Sequence, residues 1–200
     1  MKNKTIILVS LLEFFLLGVT SVQATDSMIL LKAIGFNSSE GEPSLPENLY
    51  ILEYPPGIRG YYIAQFTGNV NETWKEELRQ TGCEIYDYIP ENAFVVRMDL
   101  KEKETVQNMS FVQWVGIYQP FYKISPRLSD AKGEVNITVL SFRTESKFIP
   151  ELESLGGNIT SNYNFSYYDK NVLTINASKI DDIALMNDTY WIEPYIEPEL

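Results

Sequence analysis

Three kinds of side chain in this sequence could do chemistry: one thiol, several neighbouring carboxylates, and asparagines in a recurrent acceptor spacing. The thiol is Cys83, the single cysteine of a 200-residue chain that has no histidine at all. A cysteine attacks as its thiolate, so it needs a nearby base or cation to lose its proton. Without histidine that task falls to a lysine, an arginine or a helix N-terminus, and Cys83, directly after Gly82 at the start of a strand, reads as structural. The carboxylate groups are Glu76-Glu77, Glu102 with Glu104, and Asp181-Asp182. Glycosidase-type acid/base work requires two carboxyl groups facing each other across a cleft. These lie beside lysines on helix faces and read as solvated surface. The missing histidine also removes the usual base of Ser-His-Asp and Cys-His catalysis and the commonest transition-metal ligand. Neither a glycine-rich phosphate loop nor a calcium loop occurs, so the expectation is a non-catalytic chain with no metal and no cofactor.

The asparagines carry more information. Asn37, Asn71, Asn108, Asn136, Asn158, Asn164, Asn176 and Asn187 each open an Asn-x-Ser/Thr triplet free of proline. They are expected to be glycosylation sites, a modification of exported proteins. The N-terminus agrees with export. Lys2 and Lys4 precede an apolar run from Thr5 to Thr20 broken by Glu13, and Val22-Gln23-Ala24 offers a small-residue cleavage site. Residues 1–24 are therefore expected to be a signal peptide, and contact with a membrane is expected only through that segment if it stays uncleaved. The location implied is secreted or cell-surface. Cleavage leaves a net charge of −12 on 176 residues. Such an acidic chain lacks the cations that displace phosphate counterions, which excludes a nucleic-acid partner.

The positioning elements are read from hydrophobic periodicity and turn residues. Residues 25–59 are a Pro/Gly-rich lead-in whose short apolar piece, Met28 to Leu31, adds an edge strand or packs on the first domain. From Tyr61 the pattern becomes regular: a strand to Phe66, a helix from Asn71 to Thr81, and strands Cys83 to Tyr88 and Phe94 to Met98. A helix capped by Asp99 and a strand Phe111 to Tyr118 complete the unit. The order then recurs: strand Val135 to Phe142, helix Glu145 to Leu155, strands Asn158 to Phe165 and Val172 to Asn176. A helix capped by Ser178 or Asn176 and a strand Tyr190 to Pro194 close it. A shift of 74 superposes Trp74 on Phe148, Leu78 on Leu152 and Gly82 on Gly156. A shift of 77 superposes Val96 on Leu173, Val106 on Ile183 and Trp114 on Trp191. The expected class is α+β: two tandem ferredoxin-like (β-α-β-β-α-β) domains, each a four-stranded antiparallel sheet with two helices on one face. Residues 60–123 form the first, 124–133 a linker, and 134–200 the second with a C-terminal tail. The tyrosine-rich stretches at Tyr61-Tyr62, Tyr86/Tyr88 and Tyr167-Tyr168 suit a protein-docking surface on an open sheet face.

The stretches "YYIAQFTG", "WKEELRQTGCEIYDYIPENAFVVRM", "FVQWVGIYQPFYKISP" and "YWIEPYIEPEL" together resemble the N-terminal pro-regions of secreted, archaeal-type subtilisin-like serine proteases. The resemblance runs from about Leu45 to the C-terminus and is strongest in the first repeat. It implies a partner, a subtilisin-like catalytic domain that the chain binds, inhibits or helps to fold. In such pro-regions the open sheet face packs on two helices of the protease, an acid after the aromatic-aliphatic pair of the last strand caps their N-termini, and the tail lies in the substrate cleft. The resemblance implies these roles for Trp191 and Glu193, and for Tyr195, Ile196, Glu197, Pro198, Glu199 and Leu200 in the cleft. The first repeat has Gly116 after Trp114-Val115 and lacks the acid; Tyr195 stands where a second acid is usual. The alternative is a secreted glycoprotein binding or adhesion module that reuses the fold. It gains weight from Asn136: if Ile137 and Val139 face the helices, a glycan on Asn136 would stand on the docking face.

Overall fold

The computed structural model describes residues 27–143 and 147–197, so the expected signal peptide, residues 144–146 and the last three residues lie outside it. The described residues are α+β, with two antiparallel sheets of four strands and four α-helices, preceded by a small hairpin. That hairpin pairs β1 (Met28–Leu30) with β2 (Gly35–Asn37). Met28 to Leu31 therefore does not join either large sheet. It finds its partner locally, and the apolar Ile29 and Phe36 point down onto the first sheet.

The first sheet contains β3 (Gly60–Phe66), β4 (Glu84–Ile89), β5 (Ala93–Met98) and β6 (Val112–Ile117), in the order β4-β5-β3-β6. Between β3 and β4 runs α1 (Glu72–Gln80), which starts where the Asn71 side chain accepts the Trp74 N–H at 2.9 Å. It stops at Gly82, whose φ of +97° suits a residue without a Cβ. The second helix, α2 (Leu100–Val106), begins in a reciprocal cap: Asp99 accepts the Glu102 N–H and Glu102 accepts the Asp99 N–H, both at 2.8 Å. Leu78 and Val106, the buried residues of these helices, meet Tyr62, Ala64, Val96 and Met98 in one core, so both helices cover the same face.

The second half repeats this plan with β7 (Glu134–Phe142), α3 (Phe148–Ser154), β8 (Asn158–Asn164), β9 (Tyr168–Asn176), α4 (Ile180–Leu185) and β10 (Thr189–Pro194), ordered β10-β7-β9-β8. Gly156, at φ +92°, ends α3 as Gly82 ends α1. Leu152 and Ile183 occupy a core with Ile137, Val139, Leu173 and Ile175, as Leu78 and Val106 do in the first half. Two boundaries differ from expectation. β9 starts at Tyr168 and not at Val172, because the nine-residue β7 offers partners for polar residues that resemble a loop. Asn171 is buried there, its amide accepting from Asn162 at 2.7 Å and donating to the Val139 carbonyl at 3.4 Å. The last helix is only six residues long and follows a 3₁₀ turn capped by Asn176. The expected start of α3 at Glu145 lies outside the described residues.

The two halves meet through aromatic rings. Tyr61 of β3 stacks on Phe142 of β7 with centroids 3.8 Å apart and 9° between planes. Tyr86 meets Phe142 edge-on at 4.9 Å, and the Tyr118 hydroxyl donates to the Tyr190 carbonyl. The segment 120–128 ties the seam from outside: Ile124 bridges Ile192 in parallel and the Ser125 N–H donates to the Ile192 carbonyl at 2.8 Å.

Candidate functional site

Alternation along β7 and β10 decides which side chains the second sheet offers outward. Ile137, Val139 and Ile192 lie in the helix-side core, so Asn136, Thr138, Trp191 and Glu193 lie on the opposite face. There Glu193 pairs across from Thr138 and Trp191 from Leu140. The ladder ends where the Tyr195 N–H donates to the Asn136 carbonyl at 2.9 Å. Beyond it Ile196 and Glu197 are exposed, while Pro198, Glu199 and Leu200 lie outside the described residues.

Trp191 and Glu193 are joined directly. The Trp191 indole N–H donates to Glu193 Oε2 at 3.0 Å, and the Glu193 side chain is half-buried. The indole itself is only 4% exposed, with the Lys32 ammonium 5.3 Å from its ring centroid. Lys32 comes from the loop between β1 and β2, and in the same hairpin Phe36 packs edge-on against Trp114 at 5.6 Å. The hairpin therefore engages both repeat-related tryptophans.

The corresponding face of the first sheet is not open. Tyr61, Ile63, Ala93 and Val95 are buried there with Ile29, Phe36, Tyr122 and Phe142. Tyr62 points the other way, into the helix-side core. The expectation of a tyrosine docking surface at Tyr61-Tyr62 is thus corrected: the lead-in, the segment around Tyr122 and the second half fill that face with their own apolar groups, since an isolated two-layer unit would leave it wet. Among the described residues Tyr50 and Tyr88 are exposed, and the other exposed large aromatics sit on and beside the β8–β9 turn, at Tyr163, Phe165, Tyr167 and Tyr168.

The asparagines of the glycosylation triplets divide by environment. Asn71, Asn108, Asn136, Asn158, Asn164 and Asn176 are exposed and Asn37 is half-buried. Several already bond: Asn37, Asn71 and Asn176 cap helices, Asn108 donates to the Glu104 carbonyl, Asn164 donates to Asp169, and Asn136 accepts from Thr174 at 2.7 Å. Asn187 is half-buried between the halves, where its amide donates to the Arg59 carbonyl at 3.3 Å. A sugar on that nitrogen would compete with the bond.

Cys83 is buried, and desolvation followed by the nearby Glu102 carboxylate pushes its thiol up to about 12. Such a thiol has no thiolate to offer at neutral pH. One unusual titratable group gave no signal in the sequence. Lys123 is 1% exposed, its ammonium donating to the Met186 and Asn187 carbonyls at 3.1 and 3.4 Å, just past α4. Burial pulls it down to about 7, against the pull of Asp188. A lysine at the end of the first domain, next to the linker, reads as solvated; only the docking of the halves buries it.

Residues 30–119 match a family model described as a domain of unknown function, DUF8729. That match begins inside the lead-in and ends just after β6, so it takes in the end of the hairpin together with the sheet it covers. Two proteins of Dictyostelium discoideum are similar over 65% of this chain: Serine protease/ABC transporter B family protein tagD, 24% identical, and tagB, 23% identical. The chain spans 8% and 7% of their lengths. The similarity is weak, and the names of these relatives give it a protease-related context. No solved structure matches.

Proposed function

We propose that this chain is an exported, non-catalytic, pro-region-like partner of a subtilisin-like serine protease, which it inhibits or helps to fold. The observation that carries the reading is the contrast between the two sheets. The outer face of the first is filled by the chain itself, whereas the second keeps Glu193, Asn136 and the exposed tail at Ile196 and Glu197 along one margin. Each half has strand order 4-1-3-2 in its own numbering with both helices on one face, which supports two ferredoxin-like units. The serine protease names of the two relatives support the partner.

In this reading Trp191 does not touch the partner. It sets the Glu193 rotamer through its indole N–H, and the remaining carboxylate oxygen meets the free N–H groups at a helix end, where an anion is favoured. The tail from Tyr195 continues as an extended segment into the substrate cleft. The test is a titration of the folded chain against a subtilisin-like protease, beside Glu193→Ala and a chain ending at Pro194. Stoichiometric inhibition that weakens about tenfold or more with Glu193→Ala, and is lost on truncation, supports the reading. A folded chain that inhibits no subtilase and rescues no refolding protease sinks it. Asn136 favours a second reading, a secreted binding or adhesion module, because its exposed side chain stands on the face that a protease would cover. A glycan found on Asn136 in the native protein would select that reading.

A further inference from the structure

At the junction of the two sheets a pocket of about 70 Å³ is lined by Tyr86, Asp87, Phe142, Tyr167, Tyr168 and Tyr190. A single water needs only about 10–15 Å³ of such space, so the pocket admits a group of several heavy atoms. Its rings are mutually inclined and do not form a stack: Tyr86 and Phe142 lie 4.9 Å apart at 69°, Phe142 and Tyr190 4.9 Å at 48°, Tyr168 and Tyr190 6.3 Å at 37°. One charged group stands among them. The Asp87 carboxylate accepts the Tyr190 hydroxyl on Oδ2 and the Tyr88 N–H on Oδ1 at 3.0 Å. Each oxygen has two lone-pair directions, so both can still accept from a ligand.

Aromatic walls with one carboxylate repel anions, and a neutral apolar group would strip water from the Asp87 charge with no opposite charge to offset it. They favour a cation, and the formal charge of −11 on the chain adds long-range attraction. The aromatic cluster already takes one cation, the Arg97 guanidinium 5.9 Å from the Tyr61 ring. The nearest basic residue in sequence to the pocket wall, Arg143, donates to the Phe165 carbonyl at 3.1 Å. Among organic cations a guanidinium fits best: it is planar, weakly hydrated, stacks on rings and presents several N–H donors to a carboxylate.

We propose that this pocket is a guanidinium-binding site, with Asp87 taking the N–H groups and Tyr86, Tyr167, Tyr168 and Tyr190 enclosing the plane. The site exists only where the halves meet, since Tyr86 and Asp87 come from β4 and the other rings from the second half. It does not depend on the protease reading.

The test is calorimetric titration of the purified chain, with tyrosine ring NMR shifts as a second readout. The probes are N-acetyl-arginine methylamide, free arginine, the neutral isostere N-acetyl-citrulline methylamide, and choline. The expected result is saturable binding of an arginine compound and none of the citrulline compound. Binding should weaken about tenfold in Asp87→Asn and about fivefold in Tyr167→Ala, with an unchanged circular dichroism spectrum. Tyr167 is 69% exposed, so its truncation leaves the core intact. Tighter binding of the methylamide marks a polypeptide side chain as the source, and tighter binding of free arginine marks the amino acid. The proposal is overturned if neither arginine compound binds, if citrulline binds equally, if choline binds in preference to both, or if both variants bind like the parent.

Discussion

Lys123 illustrates how a residue's chemistry is set by what is packed over it. Its ammonium is held by the Met186 and Asn187 carbonyls just past α4, yet burial still drives it down to about 7. The unfolded chain holds that proton up to a value near 10.5, so between the two values the unfolded state binds more protons and stability rises with pH. From pH 7 to pH 9 the urea midpoint of the parent should climb, corresponding to up to about 2 kcal/mol. Lys123→Met should be flat over the same range. Above about pH 9 the sign reverses, because burial keeps Cys83 and tyrosines such as Tyr61 protonated in the fold after the unfolded chain has lost those protons. A parent curve as flat as the variant's between pH 7 and 9 would show that Lys123 stays charged when buried.

Among the elements, α2 is the one most dependent on a few side chains. It is seven residues long, too short to persist on propensity alone. Its start is held by Asp99 and Glu102, and Glu102 also binds the Arg59 guanidinium at 2.7 Å. Asp99→Ala removes one cap bond and should cost about 1 kcal/mol. Glu102→Ala releases the other cap bond and leaves Arg59 without its closest carboxylate, so it should cost more, about 2 kcal/mol. Urea unfolding of the two variants provides the comparison, and equal costs would mean that the Arg59 pair contributes nothing net.

In the whole molecule, stability rests on the seam. Phe142 is buried between Tyr61, Tyr86 and Tyr190, so Phe142→Ala should cost about 3–5 kcal/mol and loosen both halves together. A fragment of residues 60–123 alone would expose Tyr61, Ile63 and Val95 and should bind hydrophobic dye without a cooperative transition. Extending it back to residue 27 restores Ile29 and Phe36 to that face and should lower the dye binding. A cooperative, dye-free 60–123 fragment would mean that each sheet is self-sufficient.

Much of this architecture was legible in the chain. The helix caps at Asn71 and Asp99, the stops at Gly82 and Gly156, and the 74- and 77-residue offsets all depend on local backbone chemistry and periodic burial, which a sequence carries directly. The outward side of Asn136 came from the same alternation. What the chain could not disclose is which face stays open. Tyr61 and Tyr163 are chemically alike, each in a strand, yet one is fully buried and the other half exposed. Burial of Lys123, the Lys32 contact over Trp191 and the pocket around Asp87 are likewise products of contacts between residues far apart in sequence. The sequence alone determined the elements, because their hydrogen bonds close within a few residues or between matched strands. Only the tertiary structure decided the surfaces, because a side chain's solvation depends on whichever distant segment comes to lie over it.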